Sequence, residues 1–168
     1  LCFLDSLKEN EFNDGFAEII KHACIASPEL FKKLEKSLIS YESRDLLSEI
    51  LKESLLIKLK IVSKDMNDLS YRKILNFGHT FGHAIEAKYK FSHGNSVSLG
   101  MIYACQISNK LGYLSDEKVN RVKNLLNKFG LPVDVSKINV CEILHLIEKD
   151  KKAKYNNIDF IILRDIGC

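Results

Sequence analysis

Polar side chains with chemical potential are concentrated between positions 72 and 83: Arg72, Asn76, His79 and His83. Their offsets of four, three and four residues would place them in one stripe along a helix. Such a stripe does not suit a core face, because burying it without partners would cost several kcal/mol, and a solvated face would favour Lys and Glu. Two helical histidines bonded to backbone carbonyls would also explain the histidine spacing. The whole polar stripe favours a metal or anion site.

Two glycines lie within this stripe, and each lowers helix propensity by about 1 kcal/mol relative to alanine. We therefore expect another backbone or a ligand to approach Gly78 and Gly82 closely. A catalytic zinc ion usually takes three protein ligands and leaves one position open. His93 could fold back beside His79, and Glu18 could supply a carboxylate from an otherwise apolar helix. A partly exposed glutamate explains Glu18 equally well.

Basic residues flank the polar stripe. Lys58 precedes it, and Lys151 and Lys152 follow Asp150 at a predicted helix end. A lysine pair at a helix end is usually just solvated. In combination with Arg72, these cations would suit a doubly anionic substrate that carries phosphate or carboxylate. The guanidinium would act as a bidentate donor and the ammonium groups as point charges.

The elements that must position these residues are mainly helices. Apolar residues at helical spacing, with capping and stop signals, predict helices over about 12–27, 28–38, 43–61, 71–89, 93–111, 115–130 and 140–149. One strand is predicted at 158–163, after a polar turn at 155–157. The predicted fold class is therefore mainly α, a multi-helical domain with a small β-hairpin near its C terminus. The strand, glycine-rich loop and helix of a dinucleotide site are absent from this pattern.

Composition agrees with one soluble domain. The 168 residues include 46% hydrophobic and 28% charged residues, which argues against disorder. A net charge of +3 gives little reason to expect nucleic acid or membrane binding. No apolar run approaches the roughly 20 residues of a membrane span, and the first residues lack a signal-peptide pattern. Five cysteines without a CxxC pair predict reduced thiols in the cytoplasm. Because the chain opens on Leu1 and closes on Cys168, we expect a fragment of a longer protein.

The motif R-x3-N-x-G-H-x3-H-A-I-E, from Arg72 to Glu86, strongly resembles 3-dehydroquinate synthase. Flanking segments follow in that family's order: Asp5-Ser6-Leu7, residues 15–21, Lys58 with Asp65, His93-Gly94, Gly100-Met101 and Asp150-Lys151-Lys152. The resemblance covers nearly the whole chain. It implies that residues 1–168 are the helical C-terminal domain of this fold, without the N-terminal NAD-binding domain, and that the chain alone is inactive.

The resemblance also implies a role for each site residue. The residues that would hold Zn²⁺ or Co²⁺ are Glu18, His79 and His93. Those that would bind the phosphate and carboxylate of the substrate are Arg72, Asn76, Lys58, His83 and one of Lys151 and Lys152. The residues that would take part in catalysis are His83, Lys21 and Lys58, and Ser6 would contact NAD⁺. His79 is thus a metal ligand by resemblance, whereas His83 serves the substrate.

The family converts 3-deoxy-D-arabino-heptulosonate 7-phosphate into 3-dehydroquinate and phosphate, in the shikimate pathway. The NAD⁺ oxidises one hydroxyl transiently, phosphate leaves, the ketone is reduced again, and an aldol step closes the ring. The implied partners are the sugar phosphate, the protein's own N-terminal domain and a second subunit in a homodimer. Two departures from the family pattern are Asn95, where an acidic residue is usual, and Asp68, where Glu is usual.

Two alternatives remain open from the sequence. The chain could belong to another sugar-phosphate cyclase with the same metal ligands and a different substrate. It could also be a non-catalytic helical binding module that retains the motif. The complete set of Glu18, His79 and His93 argues against the second alternative.

Overall fold

The computed structural model describes residues 4, 6–39, 43–68, 70–152 and 159–167, without the side chains of 150–152. The described chain is mainly helical, as predicted. Its elements are α1 Glu9–Ala26, α2 Pro28–Lys36, α3 Arg44–Lys64, a 3₁₀ helix Tyr71–Asn76, α4 His79–Tyr89, α5 His93–Lys110, α6 Asp116–Lys128 and α7 Val140–Lys152. No described residue belongs to a β-strand.

Local capping chemistry sets several helix starts, as the sequence predicts. The hydroxyl of Ser27 accepts the N–H of Leu30 at 3.1 Å, and Pro28 occupies the first turn of α2. Ser92 and Ser115 cap α5 and α6 in the same way. The start of α5 at His93, a predicted site residue, is therefore fixed by its own neighbouring sequence.

The prediction of one continuous helix over 71–89 is wrong. Its first part is the 3₁₀ helix, and α4 begins only at His79. Gly78 lies between the two with φ of +78°, in the left-handed region, which a regular right-handed helix cannot include. The two stripe residues of the 3₁₀ helix, Arg72 and Asn76, therefore do not share one helical face with the histidines of α4.

The main core surrounds α1, which packs against α2, α3, α5 and α6. Phe16 of α1 is 1% exposed, and its ring stacks on that of Phe129 at a centroid distance of 4.2 Å. A second apolar cluster joins α4, α5 and α7, where Phe81 stacks on Tyr103 at 5.1 Å. Helix α5 thus contributes to both clusters and holds α4 in place relative to α1.

Helices α4 and α5 meet through glycines. A Cβ atom added to Gly100 would lie 2.0 Å from the carbonyl oxygen of Gly78 and 2.8 Å from the nitrogen of Gly82. A Cβ atom on Gly82 would lie 3.2 Å from the carbonyl oxygen of Ser96. The predicted close approach of another backbone at Gly78 and Gly82 is confirmed. This contact brings the N-terminal turn of α4 against α5.

The predicted β-hairpin is not confirmed. Residues 155–158, its turn and first strand residue, lie outside the described residues, and residues 159–163 have no strand hydrogen bonding. The N–H of Leu163 instead donates to the hydroxyl of Ser108 at 3.0 Å. Leu163 and Ile166 are buried against the main core. The apolar residues of this segment therefore serve to pack against the helices of the main core.

Three of the cysteines lie within the described residues, and all three are free thiols. Cys24 and Cys105 are buried, and burial raises the pKa of the Cys105 thiol to about 12. Cys141 is exposed, and the first and last cysteines, Cys2 and Cys168, lie outside the description. Among the described helices, none combines the length and apolarity needed to span a membrane.

Candidate metal centre

Three separate helices bring Glu18, His79 and His93 together. One possible ligand atom from each lies within 4.8 Å of the others. The Oε1 atom of Glu18 is 3.5 Å from Nε2 of His79 and 4.0 Å from Nε2 of His93. Ligand atoms around a tetrahedral zinc ion are about 3.3 Å apart, given Zn–N distances near 2.0–2.1 Å. The three side chains are therefore spaced for one small cation.

The carboxylate of Glu18 supports this interpretation. Its Oε2 atom accepts a hydrogen bond from the Lys21 ammonium at 2.7 Å. Its Oε1 atom is buried and has no hydrogen-bond partner among the described residues. A buried polar atom without a partner is destabilising, and a cation between this oxygen and the two imidazoles would satisfy it. The residues therefore fit a divalent metal ion.

Both imidazoles are oriented through their Nδ1 atoms. Nδ1 of His79 is 3.2 Å from the carbonyl oxygen of Phe77, and Nδ1 of His93 is 3.1 Å from Oε2 of Glu86. A carbonyl and an ionised carboxylate can only accept, so each Nδ1 carries the hydrogen. The lone pair of each Nε2 is then available on the side that faces Glu18. Metal-binding histidines in proteins commonly have such partners.

The electrostatics keep the histidine neutral and the carboxylate ionised. Burial, with a smaller effect of the Lys21 ammonium, lowers the pKa of the His79 imidazole to about 4. Burial alone would raise the pKa of the Glu18 carboxyl, but Lys21 and His79 outweigh that effect and leave the pKa below its usual value. Neutral imidazole and ionised carboxylate are the forms that bind a metal.

His83 is placed differently from the other two histidines. His83 is exposed, and the centroid of its ring lies 5.3 Å from the centroid of the His79 ring and 6.3 Å from that of the His93 ring. It does not belong to the converging set of ligand atoms in the described residues. The histidine pair at i and i+4 is therefore divided: His79 faces Glu18, and His83 faces the adjoining cleft.

This cleft has a volume of about 830 Å³. Three predicted site residues line it: Asn76 of the 3₁₀ helix and His79 and His83 of α4. Four charged residues that the prediction did not assign also line it: Lys73, Lys149, Asp68 and Asp159. Two apolar residues of α7, Leu146 and Ile147, also line the cleft. The volume suits a small polar ligand held beside the candidate metal ligands.

Of the remaining predicted site residues, Lys21 contacts the candidate ligand Glu18, whereas Arg72 is not among the described residues that line the cleft. Arg72 is half-buried, with its backbone N–H donating to Asp65 and its guanidinium donating to the carbonyl oxygen of Met66. Lys21 is 3% exposed, and burial lowers the pKa of its ammonium group although the Glu18 carboxylate acts in the opposite direction. The charge of Lys58, which is exposed on α3, contributes to that lowering and so lies nearby.

Three predicted residues are not placed in the centre. Ser6 is exposed in the described N-terminal residues, and its contact with a cofactor stays a prediction. The backbone of α7 reaches Lys152, but the side chains of Lys151 and Lys152 lie outside the description. Their binding of substrate also stays a prediction.

The sequence interpretation missed the partners that orient this centre. Glu86 was part of the motif but received no role, although it stands seven residues after His79 and so on the same face of α4. Nδ1 of His93 contacts this carboxylate, whereas at the departure position the backbone N–H of Asn95 donates to the hydroxyl of Ser92, the residue that caps α5. A buried pair was also missed, with Nδ1 of His22 2.8 Å from the hydroxyl of Ser54.

Comparison with known families decides the family of the chain. The family profile described as 3-dehydroquinate synthase C-terminal matches residues 15–153. The chain belongs to this family. The 3-dehydroquinate synthase of Dictyoglomus turgidum is 44% identical over 98% of this chain and 47% of its own length. That of Corynebacterium diphtheriae is 40% identical over 98% of this chain and 46% of its own. The chain spans about half the length of the curated relatives it matches.

Solved structures share the fold of this 3-dehydroquinate synthase C-terminal domain. A 2-epi-5-epi-valiolone synthase from Streptomyces hygroscopicus with NAD⁺ and Zn²⁺ bound has a TM-score of 0.83 and 21% identity, over 98% of this chain and 48% of that one. A 2-deoxy-scyllo-inosose synthase complexed with carbaglucose-6-phosphate, NAD⁺ and Co²⁺ has a TM-score of 0.77 and 25% identity, over 96% and 47%. The fold is thus common to enzymes with different names.

Proposed function

We propose that these residues are the metal- and substrate-binding half of a 3-dehydroquinate synthase. The enzyme would convert 3-deoxy-D-arabino-heptulosonate 7-phosphate into 3-dehydroquinate and phosphate, as a lyase of the shikimate pathway. The observation that carries the proposal is a buried oxygen of Glu18 that has no hydrogen-bond partner within the described part of the chain and faces two imidazoles beside a cleft of about 830 Å³. Relatives of that name are 40–44% identical over 98% of the chain.

The proposal includes a metal and a nucleotide. Zn²⁺ or Co²⁺ held by Glu18, His79 and His93 would supply Lewis acidity for substrate hydroxyls. NAD⁺ would serve as the transient hydride acceptor, bound mainly by an N-terminal domain outside these residues, because no dinucleotide motif occurs within them. Structures of similar fold contain NAD⁺ with Zn²⁺ or Co²⁺. We further propose a homodimer in the cytoplasm.

The chain's own residues would bind and position the sugar phosphate. His83 and Asn76 line the cleft, and His83 lies close enough to His79 to hold a substrate atom next to the metal ligands. Lys21 and Lys58 would add positive charge from α1 and α3. Lys149 lines the cleft, and Lys151 and Lys152 follow it within one turn of α7. This arrangement would place anion-binding groups around the substrate, where electrostatics and positioning promote phosphate loss.

Phosphate release tests the proposed function. The protein as its gene encodes it should release phosphate from 3-deoxy-D-arabino-heptulosonate 7-phosphate in the presence of NAD⁺ and Zn²⁺. It should not act on glucose 6-phosphate, the sugar that carbaglucose-6-phosphate imitates. The 168 residues alone should give no turnover. Activity on glucose 6-phosphate alone would favour another sugar-phosphate cyclase, and turnover by the isolated chain would contradict the location proposed for the nucleotide site.

Arg72→Lys tests the proposed anion site. A guanidinium binds phosphate or carboxylate with two parallel hydrogen bonds, whereas an ammonium group acts as a point charge. We expect KM for the heptulosonate phosphate to rise roughly tenfold or more, equivalent to about 1.4 kcal/mol, with zinc content unchanged. Arg164→Lys, at an exposed arginine over the ring of Tyr113, is the matched control. Loss of zinc from Arg72→Lys would show that the division between metal and substrate residues is wrong.

A further inference from the structure

The third candidate ligand is held by a side chain from a neighbouring helix. Oε2 of Glu86, on α4, lies 3.1 Å from Nδ1 of His93, at the start of α5. The Nε2 atom of the same ring lies 4.0 Å from Oε1 of Glu18. Glu86 therefore contacts the opposite nitrogen from the one that faces the converging ligand atoms. It is outside the set that would contact a metal ion.

We propose that Glu86 is the positioning residue of the candidate metal centre, which fixes both the tautomer and the ring orientation of His93. The inference rests on the proposed metal site and adds a residue to it. An ionised carboxylate can only accept a hydrogen bond, so it keeps the hydrogen of His93 on Nδ1. An unrestrained neutral imidazole can carry its hydrogen on either nitrogen. Hydrogen on Nε2 would block the lone pair that the metal requires.

His93 depends on this contact more than His79 does on its own partner. The His79 side chain is 14% exposed and donates to a backbone carbonyl, that of Phe77. The His93 side chain is 48% exposed, so surrounding atoms restrain its ring less. Without Glu86, the ring would keep its neighbours His79 and His83, at centroid distances of 5.4 and 6.3 Å, but would lose the hydrogen bond that orients Nδ1. The orientation of the His93 ring therefore depends on the side chain of Glu86, which a substitution can remove.

Three variants test this role by zinc affinity, measured through competition with a chromogenic chelator in the protein as its gene encodes it. Loss of a ligand-orienting partner typically reduces metal affinity about 10–100-fold, and we expect that loss for Glu86→Ala. Glu86→Gln retains an oxygen acceptor for Nδ1–H and should lose much less. Glu142→Ala removes another exposed glutamate, which pairs with Lys88 across two helices, and should leave the affinity unchanged.

A second measurement separates positioning from a general effect on folding. In metal-free wild-type protein, ¹⁵N NMR of the imidazoles should show the hydrogen of His93 on Nδ1. In Glu86→Ala it should move largely to Nε2, with the tautomer of His79 unchanged. An unchanged His93 tautomer, or zinc affinity within twofold of wild type, would overturn the proposal. If wild-type protein binds no zinc, the metal centre itself fails, and the tautomer measurement still tests the contact of Glu86 with His93.

Discussion

Alanine at any one of Glu18, His79 and His93 should lower zinc affinity by roughly two to three orders of magnitude. Structural zinc sites in zinc-finger peptides bind with apparent free energies of about 10–16 kcal/mol, shared among a few ligands, so each ligand contributes several kcal/mol. The loss should be largest for Glu18→Ala, because this change also leaves the buried Lys21 ammonium without its carboxylate partner at 2.7 Å. Zinc content after identical dialysis measures the effect, with circular dichroism as the test of folding.

His83→Ala is the matched control for the ligand variants. It removes a histidine from the same helix as His79, with ring centroids only 5.3 Å apart, but from outside the converging set. We expect this variant to keep its zinc and to lose turnover of the heptulosonate phosphate. If His83→Ala loses zinc while His93→Ala keeps it, the metal site is instead the plain histidine pair at i and i+4.

Gly100→Ala should be the most damaging substitution in the packing between α4 and α5. The added Cβ atom would lie 2.0 Å from the carbonyl oxygen of Gly78, and no rotamer change can relieve an overlap with backbone. Overpacking typically costs about 1–3 kcal/mol, and here we expect a loss above about 3 kcal/mol. The two helices must separate, so zinc affinity should fall as well.

Gly15→Ala provides the control for Gly100→Ala. Gly15 is also helical, but a Cβ atom added there meets nothing within 4 Å. Because alanine is favoured over glycine in a helix by about 0.5–1 kcal/mol, this variant should be unchanged or slightly more stable. Urea denaturation with and without a zinc chelator gives both free energies of unfolding. A Gly100→Ala protein within about 1 kcal/mol of wild type would show that the helix contact is not rigid.

Elements set by local chemistry could be predicted from the sequence. Ser27 with Pro28 marks the start of α2 because a hydroxyl acceptor and a missing N–H both act within one turn. Ser115 before two acidic residues does the same for α6. The end of α2 was less predictable: Leu38 fits the apolar spacing, but the helix stops at Lys36 and Leu38 is 88% exposed.

Features that depend on tertiary contacts could not be predicted in this way. The spacing of the polar stripe continues through Gly78, so periodicity alone does not show that the helix is interrupted there. The left-handed backbone at Gly78 occurs where this residue packs against α5. Glu18 was ambiguous because its burial depends on α4 and α5, which are distant in sequence. Glu86 received no role because its partner, His93, lies on another helix. Resemblance to the family suggested the three ligands, and the fold brings them together.

The left-handed conformation of Gly78 divides the candidate site residues between two backbone segments, the 3₁₀ helix and α4. On one side, the closely packed helices α4 and α5 carry both candidate histidine ligands. On the other, the 3₁₀ helix that carries Arg72 is anchored to its own loop by Asp65. Arg72 and the two histidines are therefore held by separate contacts on either side of Gly78. Substitutions that shift the 3₁₀ helix would thus alter the proposed anion site while leaving the packing around the proposed metal ligands in place.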